Sequence, residues 1–339
     1  MTNTTALKAP FPYFGGKSKI ASVVWQALGA DVKNYVEPFF GSGAVLLNRP
    51  GGPGHTETVN DADGLLSNAW RAMQAAPDAV ADAADWPVNE ADLHARHYWL
   101  VQNRGWITEQ LMGDPAWYDI KAAGWWVWGT CAWIGGGWCV GKGPWVSVDG
   151  VLVDKRKLPH LGAGMGITRK LPHLGAGRGI NRQIPHLGDA GMGMTRSEYI
   201  REMFAAVSAR LRDTRVACGD FERVLSSSVT TRHGMTGVFL DPPYDAGNTD
   251  PYGVGSTKGV AGRALAWATA NGNDPLLRIV LAGYSGEHDS LEALGWKVHA
   301  WKANGGYAVK AGGSGQANAA SERLWLSPGC LPIEALKAA

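Results

Sequence analysis

The sequence predicts an α/β protein: an open, mostly parallel sheet whose two halves are separated along the chain by a long insertion of different character. Three observations predict it. The stretch Gly237-Val238-Phe239-Leu240-Asp241-Pro242-Pro243-Tyr244 is an apolar run stopped by a carboxylate, two prolines and a tyrosine. That is the pattern of a buried strand ending where open α/β sheets place their ligands. Residues 34–47 carry a short apolar strand, a Gly41-Ser42-Gly43 turn and a helix start, the opening of a nucleotide-binding β-α unit. Between the two lie a tryptophan-crowded interval and a glycine-rich repeat that suit neither a parallel strand nor its crossover helix.

With 339 residues the chain can bury a full core and is long enough for about two domains. The formal net charge of +2 is close to neutral, so a nucleic-acid surface has to be a local concentration of Lys and Arg. Cys131, Cys139, Cys218 and Cys330 lack Cys-x-x-Cys or Cys/His zinc spacing, and a chain of this size needs no disulfides. They read as reduced thiols of a cytosolic protein. No basic-plus-apolar leader and no apolar run of about 18 residues is present, which argues against secretion or membrane spanning.

Taken in order, residues 9–17 read Ala-Pro-Phe-Pro-Tyr-Phe-Gly-Gly-Lys and lead into helical apolar spacing from Ile20 to Leu28, with Gly29 as the stop. A Gly-Gly turn entering a helix admits a ligand to the backbone, and Lys17 can answer a carboxylate there; a plain N-terminal turn has the same pattern. The strand Tyr35-Val36-Glu37 follows, then Pro38-Phe39, the glycine turn and a helix from Ala44. The glycines let a ligand approach, and the helix N-terminus favours negative charge. The next strand ends at Asp61, about 20 residues past the glycines, where an acid commonly holds ribose hydroxyls. Asp63 reads as the N-cap of an amphipathic helix through Leu65, Leu66, Ala69, Trp70 and Met73. The full Gly-x-Gly-x-x-Gly of dinucleotide binding is missing, which sets a nicotinamide enzyme behind other nucleotide-like cofactors.

After Ala75 the pattern changes. Residues 77–103 look helical and polar, and Trp99, Trp106, Trp117, Trp125, Trp126, Trp128, Trp133, Trp138 and Trp145 then crowd a short interval. Tryptophan can stack on bases, but an inserted unit poor in aliphatic residues would also use it as core. A 13-residue repeat follows at 157–169 and 170–182, with a third copy, one residue longer, at 183–196. Three such short copies cannot make a self-supporting solenoid, so finger-like hairpins or an ordered loop stack are expected. Arg156, Lys157, Arg169, Lys170 and Arg182 outnumber nearby acids, which makes phosphate contact the functional reading and solvated linker the plain one. His160, His173 and His186 recur with the repeat but not at zinc-ligand spacing, and no metal site is expected.

Regular structure resumes at Thr195, whose Thr-Arg-Ser-Glu reads as a capping box for a helix carrying Ile200, Met203, Phe204, Val207 and Leu211 on one face. Residues 215–221 read as a strand with Asp220 and Phe221 at its end. The strand at 237–241 comes soon after, so the two are expected in adjacent β-α units. Residues 245–259 suit a loop over the site, 260–271 a helix, 277–282 a buried strand, and 296–301 and 322–326 the closing strands.

Four of these features occur in one order: Gly-Gly-Lys17, Glu37-Pro-Phe-x-Gly41-x-Gly43, the Asp61 acid, then Asp241-Pro242-Pro243-Tyr244 after a long insertion. In this the chain resembles the Dam-like DNA adenine-N6 methyltransferases and their phage relatives. The likeness covers residues 9–75 and 215–327. It implies a Rossmann-like class I methyltransferase sheet with an inserted, mainly helical or irregular target-recognition domain. The chain would divide into a cofactor half (1–75), that insertion (76–196) and a catalytic half (197–339). The resemblance further implies S-adenosylmethionine as cofactor, held by Tyr13, Lys17, Glu37, Gly41, Gly43, Asp61, Asp220, Phe221 and Asp241. Double-stranded DNA would be the partner, in a bacterial or phage-infected host cytoplasm.

The tetrapeptide suits that chemistry. Adenine's exocyclic amine is a poor nucleophile because its lone pair is delocalised into the ring. Two acceptors, the Asp241 carboxylate and the Pro242 carbonyl, would draw density back onto nitrogen, while the prolines offer no competing N–H. Tyr244 would stack on the extruded base. A similar site could serve RNA adenine or the cytosine amine, and a DNA-binding protein with a dead catalytic half is the alternative of a different class. Oligomeric state is not encoded in any of these motifs.

Overall fold

The computed structural model describes residues 7–13, 17–133, 138–139, 145–148, 151–154, 195–243, 259–301 and 322–333. The chain opens with α1 (Ala21–Leu28), closed by Gly29 at φ 81°, and the fully buried β1 (Asn34–Glu37). Gly43, left-handed at φ 63°, starts α2 (Ala44–Leu47), which lasts a single turn. β2 (Thr56–Asp61) leads to α3 (Gly64–Ala75), whose N-cap is Asp63, accepting from the Leu65 N–H as expected.

The polar helical stretch after residue 75 is two helices. α4 (Pro77–Ala84) starts on proline, and α5 (Glu90–Gly113) starts where the Asn89 side chain accepts from Asp92 N–H. α6 (Ile120–Ala132) is capped by Asp119, and β3 (Trp145–Val148) pairs antiparallel with β4 (Val151–Asp154). The capping box at Thr195 and Glu198 is present and opens α7 (Arg196–Leu211). Then come β5 (Thr214–Cys218), two 3₁₀ turns (Phe221–Val224 and Thr231–His233), β6 (Thr236–Leu240), α8 (Val260–Asn271), β7 (Leu277–Tyr284), a 3₁₀ segment (Asp289–Leu294), β8 (Lys297–Ala300) and β9 (Glu322–Leu326).

The large sheet has seven strands in the order β5-β2-β1-β6-β7-β9-β8. The contacts from β5 across to β7 are parallel, and β9 runs antiparallel between β7 and β8. This is the α/β, Rossmann-like arrangement expected of a methyltransferase sheet. Two expectations for β5 are corrected. It ends at Cys218, because Gly219 takes φ 122° and Asp220 turns outward to cap the following 3₁₀ turn. Nor does it neighbour β6: β5 pairs with β2 at the sheet's edge, while β6 pairs with β1, so the chain between them crosses two strands. Spacing along the chain does not report which side of β1 a strand joins.

Helices α4, α5 and α6 pack on α3, and α4 also packs on α7. Their apolar residues belong to one buried cluster with those of α1, α2 and α3. Trp126 and Trp128 are buried in it, and Trp99, Trp117, Trp125, Trp133 and Trp138 pack against it, whereas Trp106 is nearly half exposed. Most described tryptophans of the interval therefore serve as core. Arg96 lies over the rings of Trp86, Trp125 and Trp128, the last at 4.3 Å, so this core also holds a guanidinium. All four cysteines are free. No described helix is long and apolar enough to cross a membrane.

Candidate active site

Strand order reverses between β1 and β6, and in open α/β sheets the crevice beyond the strand ends at that point receives ligands. Glu37 ends β1, Asp61 ends β2, and Asp241 directly follows β6. Parallel pairing of these neighbours brings all three to one end of the sheet.

The glycine loop is built around Asp61. Its Oδ2 accepts the Gly41 N–H at 2.9 Å and its Oδ1 the Asp63 N–H at 2.9 Å. Gly41 has φ 48°, and a Cβ there would meet the Tyr13 ring at 2.8 Å, so Tyr13 lies directly on the loop. Trp70 Nε1 donates to the Gly41 carbonyl at 3.0 Å, holding the loop from the α3 side. Burial pushes the Asp61 carboxyl up to about 6, against the pull of its backbone donors. Asn60 ties three strand ends together, its side-chain amide donating to the carbonyls of Pro38 and Gly219. Glu37, the last residue of β1, is buried; it accepts from the Tyr35 hydroxyl at 2.9 Å, and desolvation raises its carboxyl well above the usual range.

Lys17 and Asp241 meet at this end, Nζ to Oδ2 at 3.1 Å, with the lysine side chain almost wholly buried. Glu322, the first residue of β9, is 3.9 Å from the same ammonium. An ammonium and a carboxylate side by side complement a zwitterion, each charge of the pair matching the opposite charge of the ligand. A third group lies beyond β5. The rings of Phe39 and Phe221 are 5.0 Å apart and tilted by 32°, and the Arg263 guanidinium covers Phe221 at 4.7 Å. Arg263 is paired with Asp220 and Glu222, and Asp220 accepts the Glu222 N–H. Desolvation opposes ionisation of Asp220, but its bonds to Arg263 and Glu222 prevail and hold its carboxyl below the usual range.

Of the residues singled out from sequence, Lys17 and Asp241 are in contact, Tyr13 is on the Gly41 loop that Asp61 clamps, and Asp220 and Phe221 stand at the adjacent strand end. Pro242 is buried next to Asp241. Tyr244, the basic residues Arg156, Lys157, Arg169, Lys170 and Arg182, and residues 245–258 of the loop over the site lie outside the described residues. Sequence reasoning missed Glu322, Phe39 and Arg263. Phe39 was findable, since it directly follows Glu37-Pro38. Glu322 and Arg263 carry no local signal, because both arrive through non-local placement of β9 and α8. Among the described residues no group of three or more His, Cys, Asp or Glu could hold a metal ion.

No curated protein matches the chain. A family match does exist: residues 13–106 fit the family model of the D12 class N6 adenine-specific DNA methyltransferases. The matched stretch takes in Tyr13, Lys17, the Glu37-to-Gly43 loop and Asp61, and runs on through α4 into α5. With the seven-stranded sheet and the Asp241-Pro242-Pro243 turn at its switch point, this match supports a Dam-like DNA adenine-N6 methyltransferase.

Proposed function

We propose that the enzyme draws its methyl group from S-adenosylmethionine and transfers it directly to an adenine turned out of double-stranded DNA. The residues fit that cofactor. The Lys17–Asp241 pair suits the carboxylate and ammonium of the methionine part, the Asp61 carboxylate suits ribose hydroxyls, and the Phe39–Phe221 faces beside Asp220 suit the adenine ring. The Gly41–Gly43 loop lets backbone approach between them, with Tyr13 packed on it and Glu37 buried at the end of the strand that leads into it. When bound, S-adenosylmethionine supplies a methyl carbon made electrophilic by its sulfonium.

The chain's own residues do the rest. Asp241 and the Pro242 carbonyl accept hydrogen bonds from the target amine, localising its lone pair toward the methyl. Tyr244 stacks on the extruded base, whose extraction from the duplex costs a few kcal/mol. Arg156, Lys157, Arg169, Lys170 and Arg182 contact phosphates from the insertion (76–196), which divides the cofactor half (1–75) from the catalytic half (197–339). The reaction takes place in the cytoplasm, of a bacterium or a phage-infected host, where unprotected DNA is present.

The observation that carries this reading is the Lys17–Asp241 contact, which unites two distant motifs at the switch point. Its test is transfer of labelled methyl from S-adenosylmethionine to unmethylated DNA by Asp241→Ala. The expected result is abolished transfer with an unchanged melting temperature; near-wild-type turnover would refute the role. Running the wild type across varied duplex sequences shows whether a site is read or adenines are methylated broadly.

A further inference from the structure

β9 runs against its sheet neighbours, and the reversal carries its first residue, Glu322, to the end where β6 and β7 finish. There it stands in register with Tyr284, the last residue of β7. The Glu322 side chain is only 13% exposed, and its Oε2 makes no hydrogen bond. Lys17 Nζ lies 3.9 Å away, within ion-pair range but beyond hydrogen-bond reach, while the same ammonium is 3.1 Å from Asp241. Burial raises the Glu322 carboxyl, Lys17 pulls it down and Asp241 pushes it up. Tyr284 belongs to the same group, raised by burial and then by Glu322, Glu287 and Asp241. One buried ammonium thus serves two carboxylates and sits closer to one of them.

That position carries a conflict. An ammonium hydrogen-bonded to Asp241 competes for the lone pairs that the target amine has to reach. We propose that Glu322 is a positioning residue: it draws Lys17 away from Asp241 when the base enters, freeing the catalytic carboxylate while keeping a cation in the site. The flexible four-carbon stem of lysine permits so short a transfer, and the cluster's net charge does not change. The inference rests on reading Asp241 as the acceptor of the amine.

The test is a double-mutant cycle on Lys17 and Glu322 in the full chain. It is read by single-turnover methyl transfer from saturating S-adenosylmethionine to saturating unmethylated duplex, with Asp241→Ala run alongside. Glu322→Gln keeps the shape and removes the charge. It is expected to slow transfer about tenfold while cofactor and DNA affinities stay within about threefold. Glu322→Asp, which retains the charge, should recover most of the rate. In a Lys17→Met background Glu322→Gln should cost nothing further, since no ammonium remains to be moved. An equal loss with and without Lys17, or no loss at all, overturns the proposal. Should the Gln variant fail to fold, Glu322→Asp is read in the same cycle by the same criterion, its shorter reach giving a smaller loss that must vanish without Lys17. Asp241→Ala with near-wild-type rate would remove the acceptor reading itself; an inactive Asp241→Ala beside an unaffected Glu322→Gln would remove this inference alone.

Discussion

The two ends of the seven-stranded sheet hold buried carboxylates in opposite conditions. Near the start of β2, Glu57 accepts four hydrogen bonds: from Arg49 at 3.0 Å, from Arg210 at 2.8 and 2.9 Å, and from the Thr214 hydroxyl at 2.8 Å. Four is the full acceptor capacity of a carboxylate. Arg49 and Arg210 also donate to the carbonyls of Val32 and Leu46, so this one acid joins α2, β2, α7 and β5. At the other end, Glu37, Asp61 and Glu322 all have carboxyls raised by burial, and Asp241 and Glu322 share one ammonium. The first acid has no capacity left for a ligand. The carboxyls of Glu37, Asp61 and Glu322 are instead held above their usual range by burial, which is what distinguishes a candidate site from a scaffold in the same sheet.

Breaking each end should therefore damage a different property. The largest effect belongs to Asp241→Ala, where the preorganised side-chain acceptor is lost: a fall of at least about 10²–10³ in the rate of methyl transfer is expected, with thermal melting nearly unchanged. A loss of folding with retained rate per folded molecule would reverse the assignment of the two ends. Glu57→Ala is the converse. It leaves two buried guanidiniums without their carboxylate, and removing one partner of a buried pair costs about 3–5 kcal/mol. Urea unfolding should show that cost, while the rate per folded molecule stays near wild type.

How far this contrast was legible in the sequence follows from how local each signal is. The Asp63 cap, the Thr195/Glu198 box, the Gly29 stop and the bounds of α8 and β9 are set by residues within a turn of one another, and each lies where the sequence places it. The glycine loop and the strand-terminal Asp241 are likewise local, so half the candidate site was readable. What was not readable is pairing. That β6 joins β1 and not β5, that β9 is reversed, and that Lys17 meets Asp241 and Glu322 are decided by which edges are free when strands assemble. No spacing within 15 residues carries that information. Glu57 gave no signal for the same reason, since its arginines come from the chain before β2 and from α7.

Asp61 sharpens the comparison because it does both jobs, clamping Gly41 while its carboxyl stays raised. Its pKa rises from 3.8 to about 6 on folding, so the stability linked to this group is present in full below about pH 4 and lost as pH climbs through about 6. Ligand hydroxyls donating to the carboxylate favour the charged form and reverse the sign for binding. Cofactor affinity, measured calorimetrically, should be flat above about pH 7 and weaken as pH falls through about 6. Asp61→Asn should weaken binding about tenfold and remove that acid limb. Unchanged affinity across the interval would confine Asp61 to loop bracing.

Arg263 separates location from burial. It stands at the candidate-site end, over Phe221, paired with Asp220 and Glu222, but its side chain is 46% exposed, and both partners are about half exposed. Exposed pairs of this kind are screened and pay conformational entropy, so they contribute little however close to a site they lie. Phe221, by contrast, is buried, and it is seated by Phe39 without help from the guanidinium. Arg263→Ala is therefore expected to change cofactor affinity by no more than about threefold, insensitively to added salt in the variant, and to leave melting almost unaltered. A tenfold loss would mean that the guanidinium itself touches the ligand. Burial would then no longer be what separates the strong from the weak groups at this end of the sheet.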